Sequence, residues 1–474
     1  MLLLADWVIP VSSAPLADAG VRVSAGRISE VGPAAQLRAR YEGEEVRTFP
    51  GCALLPGFVN SHSHLELSAL CGFTRPAAFG RWMFNLVTTR RKLDRADFEA
   101  SALWGAREAA RCGITSVADT AYDGLLVARA AAATGLRARV YQEIFGLDES
   151  AVPRVMERYE AVMARLQEEI DAASRGQAGL PLLEAGVSPH APYTVSMPLY
   201  REAARFARHA GVRIATHVAE SAAEVEFLAR GTGPIIKTHR LTGLWPGSSW
   251  KPVGLRPIEY VAESGALSPE TLLIHAVEVN QAEIAVLAAA GAAVAHCPRS
   301  NARLRCGIAP VAEYLAAGVP VGLGTDSLAS NGSLDMFAEM RAALAAAEGR
   351  AAAAAEAAPP NPAPALTPER VLAMATLEGA RALGWGSLTG SLEPGKSADM
   401  IAVGLGPAGD APRSPDGVAA RLVATATAAR VRMTMVGGNT VFTAGDEGGE
   451  TLDFEAAREK LRTRGPSDGS PIRA

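Results

Sequence analysis

The chain has 474 residues, 49% of them apolar and 20% charged, with a formal charge of −4 at neutral pH. That length exceeds one ordinary core and suits a larger domain with a smaller one. There is no basic cluster to attract nucleic acid or an anionic membrane, and the five widely spaced cysteines, without a C-x-x-C pair, read as thiols and not as a disulfide framework.

The start, MLLLADWVIPVSSAP, is apolar but lacks a positive n-region and is interrupted by Asp6 and Pro10. It is too short and broken for a signal peptide or a span, so a cytoplasmic location is the default expectation. From Leu2 to Val31 short apolar runs alternate with turn signals, and Ala25-Gly26 is placed to turn a hairpin. A matching pattern returns over Gly390 to Gly395, Asp399 to Val403, and Arg430 to Phe442 around Gly437-Gly438. These two β-rich ends predict one small β-sandwich, with residues 1–52 and 386–445 as its parts.

The middle, residues 53–385, has another rhythm. Apolar runs alternate with helix-patterned segments, the sign of βα units and a parallel sheet. The expected strands are Ala53 to Asn60, Ile114 to Asp119, Ala138 to Ile144, Glu184 to Ser188, Val212 to His217, Leu272 to His275, Ala292 to His296 and Val319 to Thr325. Eight units fit an α/β fold built on a (β/α)8 barrel of about 250 residues. The rival, an open doubly wound sheet, usually carries a glycine-rich turn after its first strand, where this chain has histidines. Arg350 to Ala365 reads as an exposed, mobile Ala/Pro linker, and residues 446–474 as a polar tail that frays.

Functional groups of such a barrel sit at the C-terminal strand ends. Six of the eight histidines fall there: His62 and His64 after strand one, His190 after strand four, then His217, His275 and His296. Residues i and i+2 of a strand share a face, so His62 and His64 can converge on one ion. His217 and Asp326, from strands five and eight, complete a set of three imidazoles and one carboxylate. Zinc accepts such ligands while keeping a position open for water, whose pKa it lowers; Fe2+ or Mn2+ also suits them. Glu220 follows His217 by three residues and can act as general acid or base, or cap the next helix. His275 can polarise developing charge, and Asp326 can take a proton. His190 is placed as a substrate contact. Asp119 and Glu143 suit support of the site or structural pairing equally, and His209 and His239 are expected to be solvated.

Together the motifs PGFVNSHSHLELS, SPHAPYTVS, THVAESAAEVEFL, LLIHAVEV, AHCPRSN, GLGTDSLASN and GSLEPGKSADMIAV cover almost the whole chain in one order. The chain thereby resembles the amidohydrolase superfamily, in its cytosine deaminase-like and chlorohydrolase-like branch, nearest to S-adenosylhomocysteine and aminofutalosine deaminase-like proteins. The resemblance implies a distorted (β/α)8 TIM barrel with a β-sandwich from both ends. It also implies one divalent metal per subunit on His62, His64, His217 and Asp326, with Glu220 and His275 as catalytic groups. Binuclear members use a lysine on the fourth strand, and EAGVSPH has none. His190, Arg299, Asn301 and Trp82 take the place of substrate contacts. Nucleoside deaminases of the branch carry F-E-E-W, whose first Glu holds the ribose; here the segment is Phe79, Gly80, Arg81, Trp82. Glu66, directly after the histidine pair, is placed to read a ring N–H instead, and Arg81 and Arg299 leave room for a substrate carboxylate.

The expected function is hydrolytic removal of an exocyclic amine from an N-heterocycle, a purine nucleoside such as aminodeoxyfutalosine or S-adenosylhomocysteine among the candidates, by a cytoplasmic enzyme with no nucleic-acid or membrane partner. A homodimer is the default by symmetry statistics. The alternatives are a chlorohydrolase-type dehalogenase, a cyclic amide hydrolase, and a non-catalytic binding protein of the same fold.

Overall fold

The computed structural model describes residues 1–175, 182–245, 247, 250–355, 364–406, 414–445 and 452–463. Eight strands, β5 (Phe58–Ser63), β6 (Ile114–Ala121), β7 (Arg137–Ile144), β8 (Leu183–Pro189), β9 (Arg213–Val218), β10 (Thr271–His275), β11 (Ala293–His296) and β12 (Val321–Leu323), pair in chain order in one parallel sheet. Strands buried on both faces read as continuous apolar runs, which is why the sequence located them. The sheet nearly closes on itself. Ser63 bridges Asp326, the Asp326 N–H donates to the His62 carbonyl at 3.0 Å, and the Asn60 side chain donates to Thr325 Oγ1 at 2.8 Å. This is the (β/α)8 barrel that the rhythm of the sequence predicts, distorted as the resemblance implies. Val59, Tyr141, Leu272 and Ile274 fill its interior together with Leu383 and Trp385, so it is a packed core and not a pore.

The remaining strands, β1 (Leu2–Val8), β2 (Leu16–Ser24), β3 (Arg27–Pro33), β4 (Val46–Pro56), β13 (Met400–Gly404), β14 (Val431–Val436) and β15 (Asn439–Thr443), form a separate mixed sheet built from both chain ends, in the order β15-β14-β13-β4-β1-β2-β3. The expected strand Ala53 to Asn60 is divided at Gly57. Residues up to Pro56 pair with β1 and β13, whereas Phe58 onward pairs with β6, so one apolar run serves two sheets and the boundary placed at 52/53 falls inside β4. Gly390 to Gly395 forms turns and no strand.

Two further expectations change. Arg350 to Ala355 is the end of a helix, Met336–Ala355, whose alanines carry high helix propensity; of the expected linker, residues 356–363 lie outside the described residues. In the expected polar tail, Leu452–Thr463 is a helix that docks on the helix Arg95–Arg111. Phe454 is buried and stacks on Trp104 with ring centroids 4.3 Å apart, and Lys460 reaches Asp97 at 2.6 Å. Residues 464–474 lie outside the described residues. No helix among the described residues is long and apolar enough to cross a membrane.

Candidate metal centre and active site

The ends of β5, β9, β10 and β12 bring His62, His64, His217, His275 and Asp326 into one buried group. His64 Nε2 faces His217 Nε2 at 3.3 Å, and Asp326 Oδ1 lies 3.4 Å from His62 Nε2 and 3.7 Å from His64 Nε2. His217 Nδ1 donates to the His190 carbonyl at 3.0 Å, which leaves the Nε2 lone pair facing inward. Both ring nitrogens of His62 are buried without a hydrogen-bond partner. Burial and the neighbouring His62 push the His64 imidazole down to about 3, and burial with the surrounding imidazoles holds His217 well below its ordinary value. Burial opposes ionisation of Asp326, but nearby His62, with His275 and His64, outweighs it and keeps the carboxylate well below its usual range. Three imidazoles and a carboxylate converging in one buried space, with His64 and His217 held below their ordinary values, are the donor set that a divalent cation requires, so these residues fit one.

Backbone strain helps to aim these groups. His275 and Asp326 are non-glycine residues in the left-handed region, at φ 70 and 56. Gly324 permits the close approach of β5 beside them: a Cβ there would lie 2.9 Å from His62 Cβ.

Glu220 is buried, with Oε1 3.6 Å from His275 Nε2. Burial, then the charges of Asp326 and Glu224, pushes its carboxyl well above the ordinary range, which favours the acid form. Its side chain caps nothing; the backbone N–H of Glu220 donates to Glu224 Oε2 at 3.0 Å, and Glu224 is the acid in the first turn of the helix Ala222–Arg230. The His275 Nδ1 faces Asn301 Oδ1 at 2.9 Å. His190 lies against His217 with ring centroids 4.8 Å apart, and its Nδ1 meets Thr194 Oγ1 at 2.7 Å. Glu143, pushed up to about 8 by burial and then by Glu66, has Oε1 4.0 Å from His190 Nε2.

Of the other expected contacts, Glu66 and Arg299 are held by groups of this chain. Glu66 accepts from the backbone N–H groups of Tyr122 and Asp123 at 3.0 and 3.2 Å, which ties down the loop after β6. Arg299 donates to Ser333 Oγ at 2.8 Å and to Glu339 at 3.4 Å, and Arg81 is exposed. Trp82 is buried, and its indole N–H has no partner. His209 is exposed as expected, whereas His239 is wholly buried, because the helix Pro234–Thr242 packs it against Phe227 and Tyr193.

The profile of the Amidohydrolase family matches residues 53–441. The chain belongs to this family. A 5-methylthioadenosine/S-adenosylhomocysteine deaminase of Moorella thermoacetica is 32% identical over 462 residues, covering 96% of this chain and 97% of that one. An adenosine deaminase from Xanthomonas campestris, solved with bound zinc, superposes with a TM-score of 0.80 at 26% identity, over 98% of each chain. Atrazine chlorohydrolase from Arthrobacter aurescens, complexed with zinc, shares the fold with a TM-score of 0.73 at 24% identity, covering 97% of this chain and 99% of that one.

In this amidohydrolase several supporting groups escaped the reading of the sequence. Asp326 Oδ2 accepts from Ser300 Oγ at 2.6 Å and Ser330 Oγ at 2.7 Å, and Oδ1 from the Ser327 N–H at 2.6 Å. Asp119, which the sequence offered equally for support of the site or structural pairing, accepts at Oδ2 from Ser63 Oγ at 2.7 Å and the Leu65 N–H at 2.8 Å, bracing the backbone on both sides of His64. For Glu224 the signal was available in its helical spacing of four from Glu220. Serines carry no comparable signal.

Gly80 also acquires a structural reason. Its carbonyl accepts from Thr238 Oγ1 at 2.9 Å, and a Cβ would lie 2.6 Å from Pro234 Cβ, so the position is closed by a helix contact. Gly80→Glu, which restores the deaminase pattern, is therefore expected to destabilise the amidohydrolase by about 1–3 kcal/mol through overpacking. Chemical denaturation measures this; an unchanged midpoint would show that the two helices separate without cost.

Proposed function

We propose that this amidohydrolase is a metal-dependent deaminase that replaces the exocyclic amine of a purine nucleoside with hydroxyl and releases ammonia. The observation that carries the reading is the meeting of buried Glu220, 3.6 Å from His275 Nε2, with the imidazoles of His62, His64 and His217 and the Asp326 carboxylate. The names of the similar nucleoside deaminases support amine as the leaving group.

His62, His64, His217 and Asp326 would hold the ion, for which zinc is proposed. When bound, it supplies Lewis-acid activation of water at neutral pH. The chain's own residues handle the remaining protons. Glu220, in its acid form, donates to a ring nitrogen as water adds to the amine-bearing carbon. His275, oriented through Nδ1 by Asn301, presents Nε2 to the same space and steadies the charge that develops there. Asp326, steadied by two serine hydroxyls, is placed to accept the proton lost by water. Asp326 then returns that proton to the amine as the C–N bond breaks and the hydroxyl proton of the adduct restores Glu220, so that ammonia leaves and the hydroxylated heterocycle remains in its oxo form.

Protein purified with measured metal content is expected to release ammonia from adenosine, 5-methylthioadenosine or S-adenosylhomocysteine, and to lose that activity on chelation. Aminated and chlorinated triazines provide the comparison. Chloride release without ammonia would replace the proposal by dehalogenation, and release of neither from a folded, metal-loaded protein would end it.

A further inference from the structure

Glu143, near the end of β7, and His190, just after β8, face each other beside the metal centre, and the reaction proposed above gives Glu143 no part. Glu143 Oε1 is buried without a hydrogen-bond partner and lies 4.0 Å from His190 Nε2. The neighbour of His190 fixes which ring nitrogen carries the proton. Thr194 Oγ1 donates its one hydrogen to the Ala191 carbonyl at 3.1 Å, so toward the ring it can only accept, and Nδ1, 2.7 Å away, supplies the N–H. Burial favours the neutral ring, which leaves a lone pair on Nε2. A carboxyl keeps an accepting oxygen whether or not it is protonated. Two acceptors therefore face each other across a gap too wide for a direct hydrogen bond, and they cost free energy unless a donor comes between them. A separation of 4.0 Å leaves room for one nitrogen at an ordinary hydrogen-bond length, about 2.9 Å, from both. The flank is open to a ligand. His190 keeps 19% of its side chain exposed, half-buried Phe145 lies against it with ring centroids 4.6 Å apart, and Tyr122, 5.9 Å from Phe145, is 37% exposed. One ligand atom each of Glu143, His190 and His217 falls within 4.8 Å of the others, so the pair borders the space in which a metal-held substrate would react.

We propose that Glu143 and His190 select a heterocycle whose base carries a second amino group besides the amine that leaves. This rests on the deaminase reading above and narrows its substrate class to diamino heterocycles, with Glu143 as the specificity-determining residue. The argument is one of complementarity. A ring nitrogen or a carbonyl only accepts, and it would set a third acceptor against the two already present. An amino group donates two hydrogens, one to Oε1 and one to Nε2. The base of adenosine has no donor besides the reacting amine, so it leaves both acceptors unsatisfied.

The test measures kcat/KM for ammonia release from adenosine, 2-aminoadenosine and 8-aminoadenosine, with wild type, Glu143→Gln and Glu143→Leu at matched metal content. One of the two diamino nucleosides is expected to exceed adenosine about tenfold in wild type, the worth of one hydrogen bond to a buried partner. Glu143→Leu is expected to bring that ratio close to one. Glu143→Gln, which keeps an accepting oxygen and serves if the leucine variant does not fold, is expected to retain part of it. The same preference is read without turnover from binding of inosine, guanosine and 8-aminoinosine. A wild type that prefers neither diamino nucleoside overturns the inference. So does a ratio that Glu143→Leu leaves unchanged, the result if Glu143 only orients His190 and all substrates change together. Loss of a second equivalent of metal in Glu143→Leu assigns the pair to an ion and overturns it as well. Absence of ammonia from all three nucleosides in wild type overturns the reading of the reaction instead, while the binding ratio still decides the role of the pair.

Discussion

Glu220→Gln is expected to lower kcat for ammonia release by about 10²–10⁴ while leaving metal content and thermal stability near wild type. The amide matches the carboxyl in size and fills the same buried space, but it cannot give up and recover a proton. Position and protonation state both matter for this size of effect. Oε1 lies 3.6 Å from His275 Nε2, and burial, reinforced by Asp326 and Glu224, pushes the carboxyl above its ordinary range, which favours its proton-carrying form where a ring nitrogen must receive a proton. Steady-state kinetics with metal analysis on the same preparations checks it. Activity within tenfold of wild type would move the acid role to another group, whereas parallel loss of metal would place Glu220 among the residues that hold the ion.

The second large effect concerns stability. Asp399→Ala is expected to destabilise the fold by about 3–5 kcal/mol, the usual cost of removing one partner of a buried ion pair. Against a total of about 5–15 kcal/mol for a typical domain, that is a large fraction. Arg137, at the start of β7, donates to Asp399 Oδ2 at 3.0 Å and Oδ1 at 3.3 Å, and neither side chain is exposed beyond 1%. Asp399 also accepts from Ser397 Oγ and the Gly437 N–H, both at 2.7 Å, so one carboxylate joins the barrel to the end sheet and to the Gly437-Gly438 turn. Equilibrium unfolding in urea measures the loss. A pair replaced on both sides, Arg137→Met with Asp399→Leu, is expected to recover most of it, because no charge is then buried without its carboxylate. A loss below about 1 kcal/mol for Asp399→Ala would show that the joint is not held by charge.

The motif GKSADMIAV illustrates how far sequence reasoning reaches. Its apolar alternation marked β13, and its place in the order of motifs carried the resemblance, but the role of Asp399 was not visible. The partner lies 262 residues away. The same holds for Phe454, whose stacking surface on Trp104 comes from a helix far upstream, and for His239, which was expected to be solvated.

What the sequence determined by itself was the order of the barrel strands and which residues end them. Apolar periodicity is local, and a parallel sheet buried on both faces writes it plainly, so His62, His64, His217, His275 and Asp326 could be assigned to strand ends from the chain alone. The tertiary structure decided what each polar group at those ends touches. Left-handed turns at His275 and Asp326 aim them inward, the backbone after β6 occupies Glu66, Glu339 and Ser333 engage Arg299, and Pro234 closes Gly80. Partner choice depends on backbone direction and on packing between segments distant in the chain, and neither leaves a periodic trace.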